Sequence, residues 1–147
     1  MKPLIYFLCT GNSCRSQMAE GFARAMAGGR FEVASAGIAP TQVNPRAIAA
    51  MAEAGIDISG HESKGIDRRL LDGAAVVVTL CGEAEETCPV SPPHVRRLHW
   101  PLPDPARARG TDAEVTAVFR EVREQIRQRT RDLVDELGGV SDPGRGG

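Results

Sequence analysis

No stretch of the sequence approaches the ~20 consecutive apolar residues that a membrane-spanning helix needs, so a membrane protein is not expected. Only two lysines are present, Lys2 and Lys64, and the formal net charge is −1 with charged residues at 25%. A chain this balanced offers no cationic surface to a polyanion, which argues against nucleic acid as a partner. There is no internal repeat and no linker-like stretch, and 147 residues suffice for one core but not for two. The N-terminus runs straight into an apolar strand pattern rather than a signal peptide, so a cytoplasmic protein, acting as a monomer, is the expectation. Cysteines number only four, at positions 9, 14, 81 and 88. In a reducing compartment such thiols are catalytic, redox-active or metal-binding sooner than structural bridges.

What is present is organised around Cys9-Thr10-Gly11-Asn12-Ser13-Cys14-Arg15-Ser16, which lies between an apolar run from Leu4 to Leu8 and a helical pattern beginning near Ser16. A tight loop between a strand and a helix aims its backbone N–H groups, and the positive end of the helix, at one point. That point is suited to an oxyanion. Arg15 can fold its planar guanidinium over the bound anion and hold two oxygens at once. Cys9, directly beneath, sits in a field that favours the thiolate, so nucleophile and receptor share one loop. The bland alternative, a buried cysteine at a strand end and a surface arginine, leaves Gly11, Asn12 and Ser16 without explanation. Cys14, inside the loop, reads as structural.

After the loop, Met18, Ala19, Phe22, Ala23 and Met26 share one helical face, and Gly28-Gly29 ends the helix. Phe31 to Ser35 reads as a second strand with Ala36-Gly37 as its exit. Asn44 before Pro45 reads as an N-cap followed by proline at the first helical position, and that helix should run to about Ala54. A polar segment spans Ser59 to Arg69, and Ala74 to Leu80 is a continuous apolar run of the kind buried on both faces of a parallel sheet. Arg96 to Trp100 is a fourth, weaker strand, followed by Pro101-Leu102-Pro103-Asp104-Pro105, which reads as irregular loop. Thr111 and Glu114 form a capping box. From there Val115, Val118, Phe119, Val122, Ile126, Leu133, Val134 and Leu137 trace the stripe of a long final helix, which Gly138-Gly139 should end. Strands alternating with helices predict a single α/β domain over residues 1–139, a four-stranded parallel sheet flanked by helices with right-handed crossovers. Residues 140–147 read as a flexible tail.

Cys81 directly follows the third strand, and ligands of open parallel sheets bind beyond the carboxyl ends of the strands, so Cys81 should emerge on the same edge as Cys9. If residues 82–88 are helical, Cys81 and Cys88 share a face but lie about 10 Å apart along the axis. A disulfide between them would then require this short segment, with Gly82 at one end and Pro89 at the other, to unwind. Two other readings stay open: a zinc site from Cys81, Cys88, His94 and His99, whose spacing matches no common zinc pattern, and a pair of inert core cysteines. His61, His94 and His99 read as surface or satisfied polar groups.

The motifs Cys9 to Gly21, Ser35-Ala36-Gly37, Val43-Asn44-Pro45, Val78-Thr79-Leu80-Cys81, Cys88-Pro89, His99-Trp100 and Asp104-Pro105-Ala106 together resemble, in order, the thioredoxin-coupled arsenate reductases, which share the fold of low-molecular-weight protein tyrosine phosphatases. The likeness covers roughly residues 4 to 137. The phosphatase branch tends to carry tyrosines where Ala106 and Arg107 stand here, and it lacks the Cys81/Cys88 pair. The resemblance implies that arsenate, with phosphate or sulfate as competing oxyanions, sits on the N–H groups of Thr10 to Ser16 and on Arg15. It implies that Ser16 stabilises the Cys9 thiolate, that Asp104 protonates the departing oxygen, and that Cys81 and then Cys88 take over the disulfide for thioredoxin to reduce. No bound cofactor is expected. Potassium-binding members place ligands at positions matching Asn12, Glu20, Ser35, Glu62 and Lys64; a lysine among these argues against a bound metal, and two readings of Lys64 stay open: its ammonium reaches the cavity beside Asn12 and Glu20 in the ion's place, or it is a solvated surface group. A low-molecular-weight tyrosine phosphatase is the alternative function, and a zinc or redox-sensing module a third.

Overall fold

The computed structural model describes residues 2–82 and 92–139. Four strands, β1 (Leu4–Cys9), β2 (Glu32–Gly37), β3 (Val76–Cys81) and β4 (Arg96–Leu102), form one sheet in the order β2-β1-β3-β4, every pair parallel. The interior strands β1 and β3 are buried along almost their whole length, as expected of strands covered on both faces. One face packs Ile5, Phe7, Val76, Val78 and Leu80 against helices α1 (Arg15–Ala27), α2 (Pro45–Glu53) and α4 (Asp112–Gly139). The other packs Tyr6, Leu8, Ala36 and Val77 under Leu71 of a short helix, α3 (Arg68–Gly73). The sheet is therefore a true α/β core, and its carboxyl edge carries Cys9, Gly37, Cys81 and Leu102.

Local chemistry accounts for the element ends. Gly28, at φ 58°, closes α1 in the left-handed conformation that costs glycine least. The Asn44 side chain accepts from the Arg46 N–H at 2.8 Å, with Pro45 in the first turn, and the Thr111–Glu114 capping box is closed in both directions at 2.7 and 3.1 Å. Caps of this kind contribute about 1 kcal/mol each.

One helix was not read from the sequence, and the ends of two elements differ from expectation. At the end of the polar segment Ser59 to Arg69, Asp67 caps α3 through its carboxylate, which accepts from Arg69 N; the apolar stripe by which longer helices announce themselves is missing because α3 has only six residues. Pro101 and Leu102 belong to β4 rather than to the loop; β4 is an edge strand, where a residue without an N–H is tolerated. Gly138 and Gly139 lie within α4 rather than beyond it. A Cβ on Gly138 would meet the Arg30 guanidinium at 2.1 Å, so its bareness makes room for that side chain. Residues 83–88 of the segment considered as a helix, Cys88 among them, and the tail over 140–147 fall outside the described residues.

Candidate active site

The loop from β1 to α1 is held from behind. The carbonyls of Cys9, Thr10, Gly11 and Ser13 accept from the N–H groups of Ile38, Ala39, Thr41 and Asn44 at 2.9–3.3 Å, and that of Cys14 from Met18 N at 2.9 Å. The remaining carbonyl, that of Asn12, accepts from Ser63 Oγ at 2.7 Å and Gln17 Nε2 at 3.2 Å. Carbonyls engaged in this way fix the shape of a strand-to-helix turn, the kind of turn whose N–H groups can hold an anion. Gly37 permits the close approach: a Cβ there would lie 2.6 Å from Thr10 O and 2.7 Å from Asn12 N.

Asn12 is the keystone. It is fully buried and adopts φ 50°, a left-handed conformation that asparagine tolerates better than most residues. Its Nδ2 donates to Ser16 Oγ at 2.8 Å and Ser35 Oγ at 3.0 Å, while its Oδ1 accepts from Gln17 Nε2 at 3.0 Å and Lys64 N at 2.9 Å. Ser16 Oγ lies 2.9 Å from Cys9 Sγ. A hydroxyl oxygen has two lone pairs, so with one taken by Asn12 the contact can run either way, the Cys9 thiol donating to Ser16 or Ser16 donating to a Cys9 thiolate.

Beneath this chain of bonds, Ser35 donates to Glu20 Oε1 at 2.5 Å, and Arg24, one helical turn on, pairs with Glu20 Oε2 at 2.9 Å. Here the structure decides between the two readings of Lys64. Its ammonium does not enter the cavity but donates to Glu62 O on the exposed side at 2.9 Å, and only its backbone N–H reaches Asn12. The charge of the buried Glu20 is balanced by Arg24 instead. A carboxylate already paired with a guanidinium and a serine, with Lys64 where a further anionic ligand would stand, does not fit a potassium cage.

Cys9, Thr10, Gly11, Ser13, Cys14, Arg15 and Asp104 line one pocket of about 400 Å³, with Ala39, Thr41, Ala106 and Arg107 as its walls. Arg15 is almost wholly buried; its Nη1 donates to Leu80 O and Leu102 O, and its Nη2 lies 3.7 Å from Asp104 Oδ2. Asp104, its side chain 25% exposed, also caps the 3₁₀ turn Pro105–Arg107 by accepting from Ala106 N at 3.0 Å. The aspartate thus serves the local turn and faces the pocket as well. Burial, above all, pushes the Cys14 thiol up to about 12, so at neutral pH it stays protonated. Cys81 is buried and is the last residue of β3 rather than the first beyond it.

His61 Nδ1 lies 2.9 Å from Gln17 Oε1, and burial lowers its basicity; His94 and His99 bond Asp72 O and Thr79 Oγ1 at 3.0 and 2.7 Å. Among the described residues no three His, Cys, Asp or Glu side chains gather as a metal site, and no helix is long and apolar enough to cross a membrane. Sequence reasoning missed Gln17, Ser63, Arg24 and the strap 38–44. Gln17 had a visible signal, its place in the first turn of the helix beside Ser16. Ser63 and the strap had none, since they arrive from distant parts of the chain.

The family profile described as low molecular weight phosphotyrosine protein phosphatase matches residues 4–140. An arsenate reductase of Bacillus subtilis is 53% identical over 132 residues, covering 90% of this chain and 95% of its own. The solved structure of an arsenate reductase in the phosphate binding state, 39% identical, superposes with TM-score 0.76 over 94% of this chain and 100% of that one. A thioredoxin-dependent arsenate reductase of Corynebacterium glutamicum, 27% identical, gives TM-score 0.74 over 95% of this chain and 64% of its own. The chain therefore belongs to the low molecular weight phosphotyrosine protein phosphatase family, on the branch of the arsenate reductases.

Proposed function

We propose that the chain is a cytoplasmic, monomeric arsenate reductase that passes a disulfide from Cys9 to Cys81 to Cys88, with thioredoxin as the external reductant and arsenic detoxification as its service. The observation that carries this reading is a further cysteine, Cys81, ending a strand that neighbours the one delivering Cys9. Adjacent strands run ~4.8 Å apart, and with Leu8 opposite Thr79, Cys81 leaves the sheet one residue beyond the level of Cys9. A phosphatase would have no use for it. The names of the relatives, and the thioredoxin dependence of the Corynebacterium glutamicum protein, support the same reading.

In this mechanism arsenate rests on the inward N–H groups and Arg15. The Cys9 thiolate attacks arsenic, and a protonated Asp104 gives its proton to the departing oxygen, which leaves as water. Cys81, as thiolate, then attacks Cys9 Sγ: an S–S bond forms, the S–As bond breaks, and its electron pair goes to arsenic, which departs as arsenite, reduced by two electrons. Cys88 attacks Cys81 in turn, freeing the Cys9 thiolate, and the dithiol of thioredoxin reduces the Cys81–Cys88 bond. The role of Cys88 rests on the resemblance and on the relatives. Arsenate-dependent NADPH oxidation with thioredoxin and its reductase tests the whole sequence; its absence with active partner proteins overturns the reading.

A slow phosphatase activity is the second reading, favoured by Cys9, Arg15 and Asp104 lining one pocket, since these groups serve phosphoryl transfer equally well. Hydrolysis of p-nitrophenyl phosphate should survive Cys81→Ser and vanish in Cys9→Ser.

A further inference from the structure

Asn12 ties its neighbours together through its side-chain amide, but its own main-chain carbonyl is held by two other residues. Ser63 Oγ lies 2.7 Å from Asn12 O, and Gln17 Nε2 lies 3.2 Å from it. A carbonyl can only accept, so Ser63 is the donor and the direction of that bond is settled. Gln17 is the weaker holder. Its Nε2 carries two hydrogens for three oxygens, and the other two, Asn12 Oδ1 and Glu62 O, are nearer at 3.0 and 3.1 Å. The short bond from Ser63 therefore sets where the Asn12 carbonyl points. Ser63 is itself anchored by the residue that follows it: Lys64 N donates to Asn12 Oδ1 and Lys64 O accepts from Gly37 N, both at 2.9 Å.

A carbonyl shares a rigid plane with the next N–H, and in a trans peptide the two point in opposite directions. There is no cis peptide bond among the described residues. The Asn12 carbonyl turns toward Ser63 and Gln17, so the N–H of the same plane, that of Ser13, turns away from them. Of the described residues, Ser13 lines the pocket with Cys9 and Arg15, whereas Asn12, Gln17 and Ser63 do not. We propose that Ser63 is a positioning residue for the oxyanion site: by donating to Asn12 O it keeps the Asn12–Ser13 peptide in the orientation that offers the Ser13 N–H to the anion. The plane needs such a restraint because Asn12 stands at φ 50°, a conformation that residues other than glycine adopt sparingly. Turning over this one peptide would exchange its two groups and set a carbonyl oxygen, with its partial negative charge, where the anion has to lie. This inference rests on the loop holding an oxyanion, the role given to it above.

Inorganic phosphate, titrated into the isotopically labelled wild type, should move the Ser13 amide proton downfield in NMR spectra, as a charge-assisted hydrogen bond forms. Ser63→Val and Ser63→Thr have the same branched shape, and only the second keeps the donor. By calorimetry Ser63→Val should bind phosphate about fivefold more weakly, the fold-change of one net hydrogen bond, and its Ser13 proton should respond less. Ser63→Thr should bind like the wild type. The KM for arsenate should rise in Ser63→Val alone, with kcat changing far less, because this N–H serves substrate and transition state alike. Equal phosphate affinities in the two variants overturn the proposal. Should neither variant fold, the wild type still decides: a Ser13 proton that stays in place while phosphate protects Cys9 from iodoacetamide overturns the role of Ser63 alone. A wild type that binds no phosphate by calorimetry or by protection of Cys9 overturns the oxyanion reading of the loop, and this role with it.

Discussion

On the β1 side of the pocket the carbonyls from Cys9 to Cys14 are bonded to backbone or to buried side chains behind the loop, whereas on the β3–β4 side the carbonyls of Leu80 and Leu102 bond a single side chain, Arg15. The first side is fixed by many bonds of which none dominates. The second is joined by Arg15 as well as by strand pairing, at a point where the register of β3 and β4 shifts. The difference matches what each side has to do in the proposed relay: Cys9 stays where the anion is bound, and Cys81 has to travel, first to Cys9 and then to Cys88.

The largest effect should come from the thiols. Cys9→Ser should release no arsenite at all. Cys88→Ser should release one equivalent and stop, with a Cys9–Cys81 disulfide found by peptide mass mapping; steady turnover of that variant with thioredoxin would break the contrast between fixed and travelling thiols.

Next in size is Asn12→Ala, which takes away both faces of the buried amide and leaves Ser35, Ser16 and Gln17 with unsatisfied partners. It should lower stability by about 3 kcal/mol in urea unfolding, and Cys9 should react more slowly with iodoacetamide. A loss under about 1 kcal/mol would mean that the loop is not held by many bonds at once.

Arg24→Ala sharpens the comparison from beneath. The wild type should turn over almost equally in potassium and in a bulky inert cation at matched ionic strength, because Glu20 already has its counter-charge at 2.9 Å. The variant should be slower, with part of the rate restored by added potassium. Strong potassium activation of the wild type would refute the assignment to Arg24.

The smallest effect concerns Cys14. Its native thiol is pushed up to about 12, while in the unfolded chain a thiol ionises near ~8.5. Between these values the unfolded state has lost the proton that the native state keeps, so stability is fully present below about pH 8.5 and falls as pH rises toward about 12. Cys14→Ala should flatten that alkaline slope in urea titrations at about pH 8 and about pH 10.5, and at the lower pH iodoacetamide should label Cys9 and spare Cys14.

The side of the pocket made of presences was legible in the sequence; the side made of absences was not. Cys9, Gly11, Asn12, Arg15 and Ser16 announce their chemistry because the residue types and the spacing are needed together, and Asn44-Pro45 or Thr111 with Glu114 mark helix starts by the same logic. Pro101 was read as the end of a strand because its missing N–H was treated as a break, when on an edge strand a residue without an N–H is tolerated. The two readings of Lys64 have a different origin. Sequence places a residue along the chain but not the direction of a four-carbon side chain, and the charge that Glu20 required came from Arg24, four residues along the same helix.

A receptor built from main-chain N–H groups has an evolutionary consequence. Exchanging one side chain for another cannot delete a peptide N–H; among the twenty residues only proline does so. The inner surface of the Cys9 loop is therefore shielded from most point mutations, and natural variation in oxyanion preference has to enter from outside it: through the 38–44 strap and Gly37, which set the curvature of the loop from behind, or through the walls at Ala39, Thr41, Ala106 and Arg107. A library randomised at those walls should yield altered selectivity between arsenate and phosphate esters, while one randomised at Thr10 or Ser13 should mostly yield neutral or dead proteins.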